Sequence, residues 1–284
     1  MTITRFAPSP TGRLHLGHFW SAVQAHDLAR ANHGRFLLRI EDIDGTRSRP
    51  EHVQAIIDDL RWLGIGWDDD IWFQSTRIPV YRAALDRLGA MGLLYPCFCT
   101  RADIAASASA PHGPEGIIYP GTCRALASAE RARRLDLEPH CWRLDSAAAM
   151  AQTGPIHWED QQIGRVAVDM GQLGDVVLAR KDAPASYHLA VTIDDAAQGV
   201  TDIIRGVDLL HATHVHRLLQ ALLDLPTPFY RHHPLLLGAD GERLAKRNGA
   251  PSIDVWREAG VDPAQLLAEL RQGRFPIGIT VACA

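Results

Sequence analysis

Arg5-Phe6-Ala7-Pro8-Ser9-Pro10-Thr11-Gly12-Arg13-Leu14-His15-Leu16-Gly17-His18 is the stretch that decides the fold. Residues 2–6 read as a short apolar strand, residues 7–12 as a Pro/Ser/Gly loop, and Leu16, Phe19, Trp20 and Val23 recur at helical spacing. His15 and His18 therefore fall in the first turn of a helix. There the unpaired backbone N–H groups and the positive end of the dipole attract phosphate, and an imidazole donates a hydrogen bond to a phosphoryl oxygen. Gly17, lacking a side chain, lets a nucleotide approach the backbone. Far downstream, Arg243-Leu244-Ala245-Lys246-Arg247 follows a glycine-flanked turn and supplies a second cationic element. Two histidines at a helix start also suit a solvated turn. The proline-rich loop before them and the distant lysine point instead to ATP-activating nucleotidyl transfer.

Working outward, residues 36–40 read as a second buried strand. Ser48-Arg49-Pro50-Glu51 reads as a capping box opening a helix with Val53, Ile56, Ile57 and Leu60 inward, stopped by Gly64. A third helix from about residue 76 turns Tyr81, Ala84, Leu85 and Leu88 inward. Strand and helix alternate as in a parallel doubly wound α/β sheet. From about residue 95 the pattern breaks into cysteines, an Ala/Ser/Pro/Gly-rich loop at 105–116, a helix near 128–135 and short strand-like pieces. Strand character at 187–193 and 200–204, then a helix with Val215, Leu218, Leu219 and Leu222 on one face, restores the alternation, and 263–272 can form a last helix. The expected division is 1–94 for the first half of a Rossmann-like domain, 95–185 for an α+β insertion, and 186–238 for the second half. Residues 239–284 then carry the lysine loop and a short helical segment.

The chain has 284 residues, 46% hydrophobic and 22% charged, enough to bury a large core and unlike a disordered or fibrous protein. Its start holds no apolar run long enough for a signal peptide, and nowhere do eighteen apolar residues run together, so a cytoplasmic protein with no membrane partner is expected. A net charge of −4 confines any RNA contact to a local basic face, for which Arg131, Arg133 and Arg134, or Arg271 and Arg274, are candidates. Solvated helix faces account for them equally well.

Five cysteines is an odd number and three lie within 27 residues, so a metal site is the better question than a disulfide framework. Cys97, Cys99 and Cys123 offer three thiolates and Tyr119 a phenol. Structural zinc prefers four ligands, and phenolate is an uncommon fourth, so reduced buried cysteines remain the alternative. Cys141 and Cys283 lie outside the set. Asp194-Asp195 and Asp68-Asp69-Asp70 read as strand-end and turn aspartates. Glu41 and Arg205 each close an expected strand, and ligands of open α/β sheets sit at those carboxyl ends. Together they suit a molecule with an ammonium at one end and a carboxylate at the other, though surface charges at strand ends would look the same.

The chain resembles class I aminoacyl-tRNA synthetases of the glutamyl type. The resemblance rests on residues 5–18, on Arg39-Ile40-Glu41-Asp42-Ile43-Asp44, on Tyr187-His188-Leu189-Ala190 and on Ile204-Arg205-Gly206, in the same order, and runs from residue 3 to about 253. It implies a Rossmann-like catalytic domain in which Arg5, Ser9, Glu41, Tyr187 and Arg205, with the Ala7 backbone, contact glutamate. It further implies that His15, Gly17, His18 and Lys246 bind ATP, that His15, His18 and Lys246 with Mg²⁺ stabilise the developing phosphoryl charge, and that Cys97, Cys99, Tyr119 and Cys123 hold a structural Zn²⁺. The implied first step joins the α-carboxylate of glutamate to AMP with loss of pyrophosphate. One departure is Ala245, where the family usually has a hydroxyl residue; a lost neutral hydrogen bond of about 0.5 to 1.5 kcal/mol weakens ATP use without ending it.

Only 37 residues follow Arg247, so no anticodon-binding domain of the usual kind is expected. This layout resembles the paralogous group that transfers glutamate to the modified wobble base queuosine of tRNA(Asp), and a monomer acting on L-glutamate, ATP and that RNA is the expectation. A shortened enzyme charging tRNA(Glu), an adenylyltransferase acting on a small molecule, and a non-catalytic paralogue binding RNA or amino acid remain the alternatives.

Overall fold

All four residues of β1 (Ile3–Phe6) are buried, and the loop after it leads into α1 (Leu16–Ala31) and back to β2 (Arg35–Ile40). β1 and β2 pair in parallel, from Ile3 opposite Arg35 to Phe6 opposite Leu38. The computed structural model describes residues 1–105, 112–113, 116–180, 182–244 and 252–282. After β2 comes α2 (Pro50–Trp62), which does not begin with the expected capping box. Arg49 is its N-cap without a side-chain bond, and the Ser48 hydroxyl is buried without a partner. Pro50, with its backbone angle already helical, starts the helix instead. Gly64, at φ +81°, ends it as expected.

β3 (Asp68–Phe73) lies parallel to β2, so all three aspartates of the run read as turn residues open a strand. Asp68 accepts the Phe36 N–H at 2.8 Å and an Arg30 N–H at 2.7 Å, which pins the strand edge. A 3₁₀ turn leads into α3 (Ile78–Ala90), and the chain continues through β4 (Leu94–Cys97), α4 (Arg101–Ala105), β5 (His112–Gly113), β6 (Gly116–Ile117) and α5 (Ser128–Leu137). It goes on through β7 (Cys141–Leu144), α6 (Ser146–Thr153), β8 (His157–Asp160), β9 (Gly164–Ala167) and β10 (Val177–Ala179). Strands β10, β7 and β4 form a small antiparallel sheet in that order.

The remaining elements are α7 (Tyr187–Ala197), β11 (Asp202–Gly206), α8 (Ala212–Leu222), β12 (Phe229–His233), β13 (Leu236–Leu237), α9 (Ile253–Glu258), α10 (Pro263–Arg271) and β14 (Thr280–Val281). β11, β12 and β8 are parallel, with β9 returning antiparallel at the edge. The two half-sheets meet where Thr201 donates its N–H to Ile3 O at 2.9 Å and takes the Ile3 N–H on its hydroxyl at 2.8 Å. The result is a Rossmann-like α/β domain with the carboxyl ends of β1, β2 and β11 on one side. Among the described residues no helix is long and apolar enough to cross a membrane.

Residues 187–193 are the first turns of helix α7, not the strand expected from sequence. The Ser186 hydroxyl caps it by accepting the Leu189 N–H at 3.4 Å, and every residue from Leu189 to Asp195 is buried. A helix buried all round has no polar face to reveal a helical period, so its β-branched run imitates a strand. Asp194 and Asp195 are accordingly helical and interior rather than strand-end turn formers. Asp194 accepts from Arg77 at 2.6 Å, Tyr81 at 2.7 Å and Gln74 at 3.0 Å, tying α7 to α3.

Removing that carboxylate strands a cation and two polar groups inside the protein. Asp194→Ala is expected to lower unfolding stability by about 3 kcal/mol or more, read as a shift in urea midpoint at unchanged m-value.

Candidate active site

A cavity of about 510 Å³ opens at the carboxyl ends of β1, β2 and β11, lined by Arg5, Ala7, Ser9, His15, Gly17, His18, Glu41, Tyr187 and Arg205. Every site residue expected in the catalytic body is among them except Lys246. Lys246 and Ala245 lie outside the described residues, and the described Arg243 and Leu244 just before them line the same cavity.

At one end, four charged groups from both halves of the fold, Arg5, Arg39, Glu41 and Asp195, converge. Asp195 on α7 receives Arg5 through Nε at 3.0 Å and Nη2 at 3.2 Å, and Arg39 through Nη2 at 2.8 Å. Arg39 also donates to Gln198 at 2.7 Å and stands 3.4 Å from the Glu41 carboxylate. Burial opposes charge on Arg39, but Asp195, Glu41 and Asp194 outweigh it and keep the guanidinium protonated. Glu41 goes the other way. Burial pushes its carboxyl up to about 7 against the pull of Arg39 and Arg5. Arg39 enters the sequence reading only as the start of a motif and carries no site role there; the signals for one are its place in that motif and a charge inside the buried strand Arg35–Ile40, two residues before Glu41.

Arg205, only 4% exposed, has neutral hydrogen-bond partners throughout among the described residues. It donates to Thr213 Oγ1 at 2.7 Å, His232 Nε2 at 3.1 Å, His216 Nδ1 at 3.2 Å and the Tyr187 hydroxyl at 3.3 Å. Burial and the guanidinium hold His216 well below the usual imidazole range and His232 at about 4. His232 Nδ1 lies 2.7 Å from Asp160, so its proton sits there and Nε2 keeps the lone pair that Arg205 uses. None of these partners could be read from spacing, because they come from α8, β8 and β12. A buried cation whose charge no contacting group neutralises is costly, and a bound carboxylate relieves that cost.

At the other end, His15 caps α1. Its Nδ1 accepts the Gly17 N–H at 3.1 Å while His18 Nδ1 accepts the His15 N–H at 3.1 Å. With both Nδ1 atoms accepting, each neutral ring carries its proton on Nε2, the form that donates to a phosphoryl oxygen. Gly17 is needed for a nearer reason than nucleotide approach: a Cβ there would stand 3.0 Å from His15 Cε1 and 3.1 Å from its Nδ1.

In the β4/β7/β10 unit, Cys97, Cys99 and Cys123 bring their Sγ atoms within 4.8 Å of one another. Tyr119 Oη lies 3.8 Å from Cys99 Sγ and accepts the Cys123 N–H at 2.7 Å. Three sulfurs and a phenol oxygen supported by a backbone donor make a four-donor set suited to a tetrahedral ion. A hydrogen bond from Cys141 holds the Cys97 thiol well below its usual range, and burial pushes Cys99 up to about 11. Cys141, placed outside the set from sequence, faces Cys97 directly across β4 and β7, although its sulfur is not one of the clustered three. Cys283 lies outside the described residues. Three of the five arginines considered for a basic face are paired locally: Arg133 with Glu130 at 2.8 Å, Arg134 with Glu138 at 2.7 Å and Arg271 with Asp27 at 2.8 Å.

Over residues 1–280 the sequence matches the family described as tRNA synthetases class I (E and Q), catalytic domain. The chain belongs to this family. Among relatives, the glutamyl-Q tRNA(Asp) synthetase of Rhodobacter capsulatus is 50% identical over 272 residues, covering 93% of this chain and 98% of that protein. The one from Nocardia farcinica is 48% identical over 267 residues, covering 94% and 82%. Among solved structures, a glutamate tRNA ligase from Elizabethkingia meningosepticum in complex with its amino acid superposes with a TM-score of 0.76 at 25% identity, covering all of this chain and 66% of that one. Glutamate-tRNA synthetase from Elizabethkingia anophelis gives 0.74 at 29%, covering 87% of this chain, which spans about half (53%) of that one. In this class I synthetase the cavity therefore occupies the catalytic domain of its family.

The Glu41 carboxyl sets a pH dependence. An ammonium is attracted only by the ionised form, so kcat/KM for an amino-acid substrate is expected to rise with pH through about 7. Glu41→Gln is expected to flatten that limb in a pyrophosphate-exchange profile. The same raised value means that ionising Glu41 destabilises the ligand-free fold as pH climbs from 4.5 toward 7.

Proposed function

We propose that the chain activates L-glutamate with ATP and transfers the glutamyl group to queuosine in the anticodon loop of tRNA(Asp). The observation that carries the first half is Arg205, a buried cation whose hydrogen-bond partners among the described residues are all neutral, in the same cavity as the Glu41 carboxylate. Arg205, with Arg5 nearby, takes the side-chain carboxylate, and Glu41, Ser9 and the Ala7 backbone take the ammonium. The α-carboxylate is left facing the His15 and His18 rim. An oxygen of that carboxylate attacks the α-phosphorus, a P–O bond forms, and pyrophosphate leaves with the electron pair of the bond broken.

His15 and His18 donate to phosphoryl oxygens as charge builds there, and Lys246 supplies an ammonium for the same charge. Mg²⁺ bound with ATP neutralises further phosphate charge. Ala245 removes a hydroxyl donor beside Lys246. Zinc held by Cys97, Cys99, Tyr119 and Cys123 would cross-link the unit beside the site, a structural role. The acceptor half rests on the relatives. Those named glutamyl-Q tRNA(Asp) synthetase reach 50% and 48% identity, against 29% and 25% for the glutamate-tRNA synthetases. Such a reaction belongs in the cytoplasm with its RNA.

Glutamate-dependent exchange of pyrophosphate into ATP without any tRNA, followed by transfer of labelled glutamate to tRNA(Asp) only when it contains queuosine, is the expected result. Labelling of tRNA(Glu) at its terminal ribose, or exchange with no glutamate dependence, would falsify the assignment. Lys246→Ala is expected to cut exchange by roughly 100- to 1,000-fold. Arg205→Ala is expected to raise KM for glutamate by on the order of 100-fold, since it removes one partner of a buried charge pair.

For the metal, about one zinc per chain is expected by elemental analysis. It should be lost in a Cys97→Ala, Cys123→Ala double variant, with a lowered melting temperature. Full zinc retention in that variant would refute the ligand set.

A further inference from the structure

We infer that Asp160 and His232, neither of which lines the cavity, are positioning residues that set its preference for a carboxylate over a carboxamide by fixing how Arg205 presents its N–H groups. This rests on the glutamate-activation reading above and adds what holds the carboxylate-binding group in place. Asp160 ends β8, His232 lies in β12, and both side chains are wholly inaccessible to water.

The Asp160 carboxylate is itself locked by the backbone. Its Oδ1 accepts the Gln162 and Ile163 N–H groups at 2.8 and 3.1 Å, and its Oδ2 accepts the His232 N–H at 3.2 Å. Oδ2 also accepts from the His232 ring at 2.7 Å, so the imidazole proton sits on Nδ1 and Nε2 is a bare lone pair. Two donors converge on that lone pair, Arg205 Nε–H at 3.1 Å and the Thr213 hydroxyl at 3.2 Å. The opposite tautomer would set donor against donor in a dry interior.

A guanidinium has five N–H donors. In Arg205 the one on Nε goes to His232, those on Nη1 to His216 and the Tyr187 hydroxyl, and one on Nη2 to Thr213. The Tyr230 ring, its centroid 5.5 Å away, backs the guanidinium plane. Orientation is thereby fixed, and a single Nη2–H is left without a partner among the described residues. Next to it the Tyr187 hydroxyl, which accepts from Nη1, still has its own hydrogen to give. A ligand group placed there meets two donors and a positive charge. An anionic oxygen satisfies all of them, whereas the NH2 of a carboxamide satisfies none.

The test is Asp160→Asn in the full chain, assayed by pyrophosphate exchange with glutamate and with glutamine. With the amide oxygen kept on the Gln162 and Ile163 N–H groups, the new NH2 faces His232 Nδ1 and drives the ring proton to Nε2. KM for glutamate is expected to rise about 10- to 100-fold, and the kcat/KM preference for glutamate over glutamine to fall about tenfold, with KM for ATP within about twofold. Nitrogen-15 NMR of the His232 ring should place the hydrogen on Nδ1 in the unaltered protein and on Nε2 in the variant. An unchanged tautomer or an unchanged KM for glutamate overturns the inference. So does a KM for ATP that rises in step, since the pair would then serve the fold alone. Should that variant not fold, His232→Gln and His232→Leu decide. Gln sets an oxygen where Nε2 stands and should keep KM for glutamate within about threefold, whereas Leu should raise it about tenfold or more. Equal values for the two overturn the inference. If the unaltered chain shows no glutamate-dependent exchange at all, the proposed function itself has failed, a result that cannot be confused with these.

Discussion

Asp195 ties the two halves of the catalytic body together beside the cavity that Arg5 and Glu41 line. It rises from α7 in the second half and takes Arg5 of β1 and Arg39 of β2 from the first, all three nearly or wholly inaccessible to water. In a low-dielectric interior, charges of this kind hold position only when each has a partner with good geometry. The arrangement therefore fixes the angle at which β1, β2 and α7 meet and aims Arg5 and Glu41 into one cavity. Arg39 contacts no cavity by itself; it sets the local potential that Glu41 feels.

Selectivity follows from the charges left over. The Arg5, Arg39 and Asp195 cluster nearly balances itself with Glu41, whereas Arg205 is surrounded by hydroxyls and neutral imidazoles. A ligand amide would leave that guanidinium uncompensated, and a carboxylate completes it. Asp160 lends partial compensation through His232, enough to keep the fold intact without occupying the Nη atoms as a direct ion pair would. The buried network thus satisfies Arg205 by hydrogen bonds but leaves its charge without a direct counter-charge among the described residues.

The end of the cavity lined by His15 and His18 uses a different device. There the reciprocal bonds of His15 and His18 satisfy the helix terminus internally and fix both ring tautomers. These two histidines, proposed above to act on phosphate, are also the capping residues of α1, so replacing them would perturb the helix start as well as that proposed chemistry. Beside the site, the cysteine cluster organises a unit with its own small core of Tyr95, Phe98, Tyr119 and the thiols.

Local sequence was enough for the strand, loop and helix from residue 2 to 31, for β2, α8 and α10, and for nine residues of the cavity, because amphipathic period, proline-rich loops and charges at strand ends act within a few residues. It misled at α7, where burial on all sides erased the helical period, at Ser48, where proline and not a hydroxyl starts the helix, and at Asp68, whose partners Arg30 and the Phe36 N–H lie some thirty residues back. The amino-acid order by itself determined which side chains could do the chemistry. Only tertiary structure decided their charge states and partners. Whether Arg205 lacks a carboxylate, Glu41 is pushed toward neutrality or Arg39 matters depends on which distant groups share the same dry interior, and electrostatic energy there follows distance in space rather than along the chain.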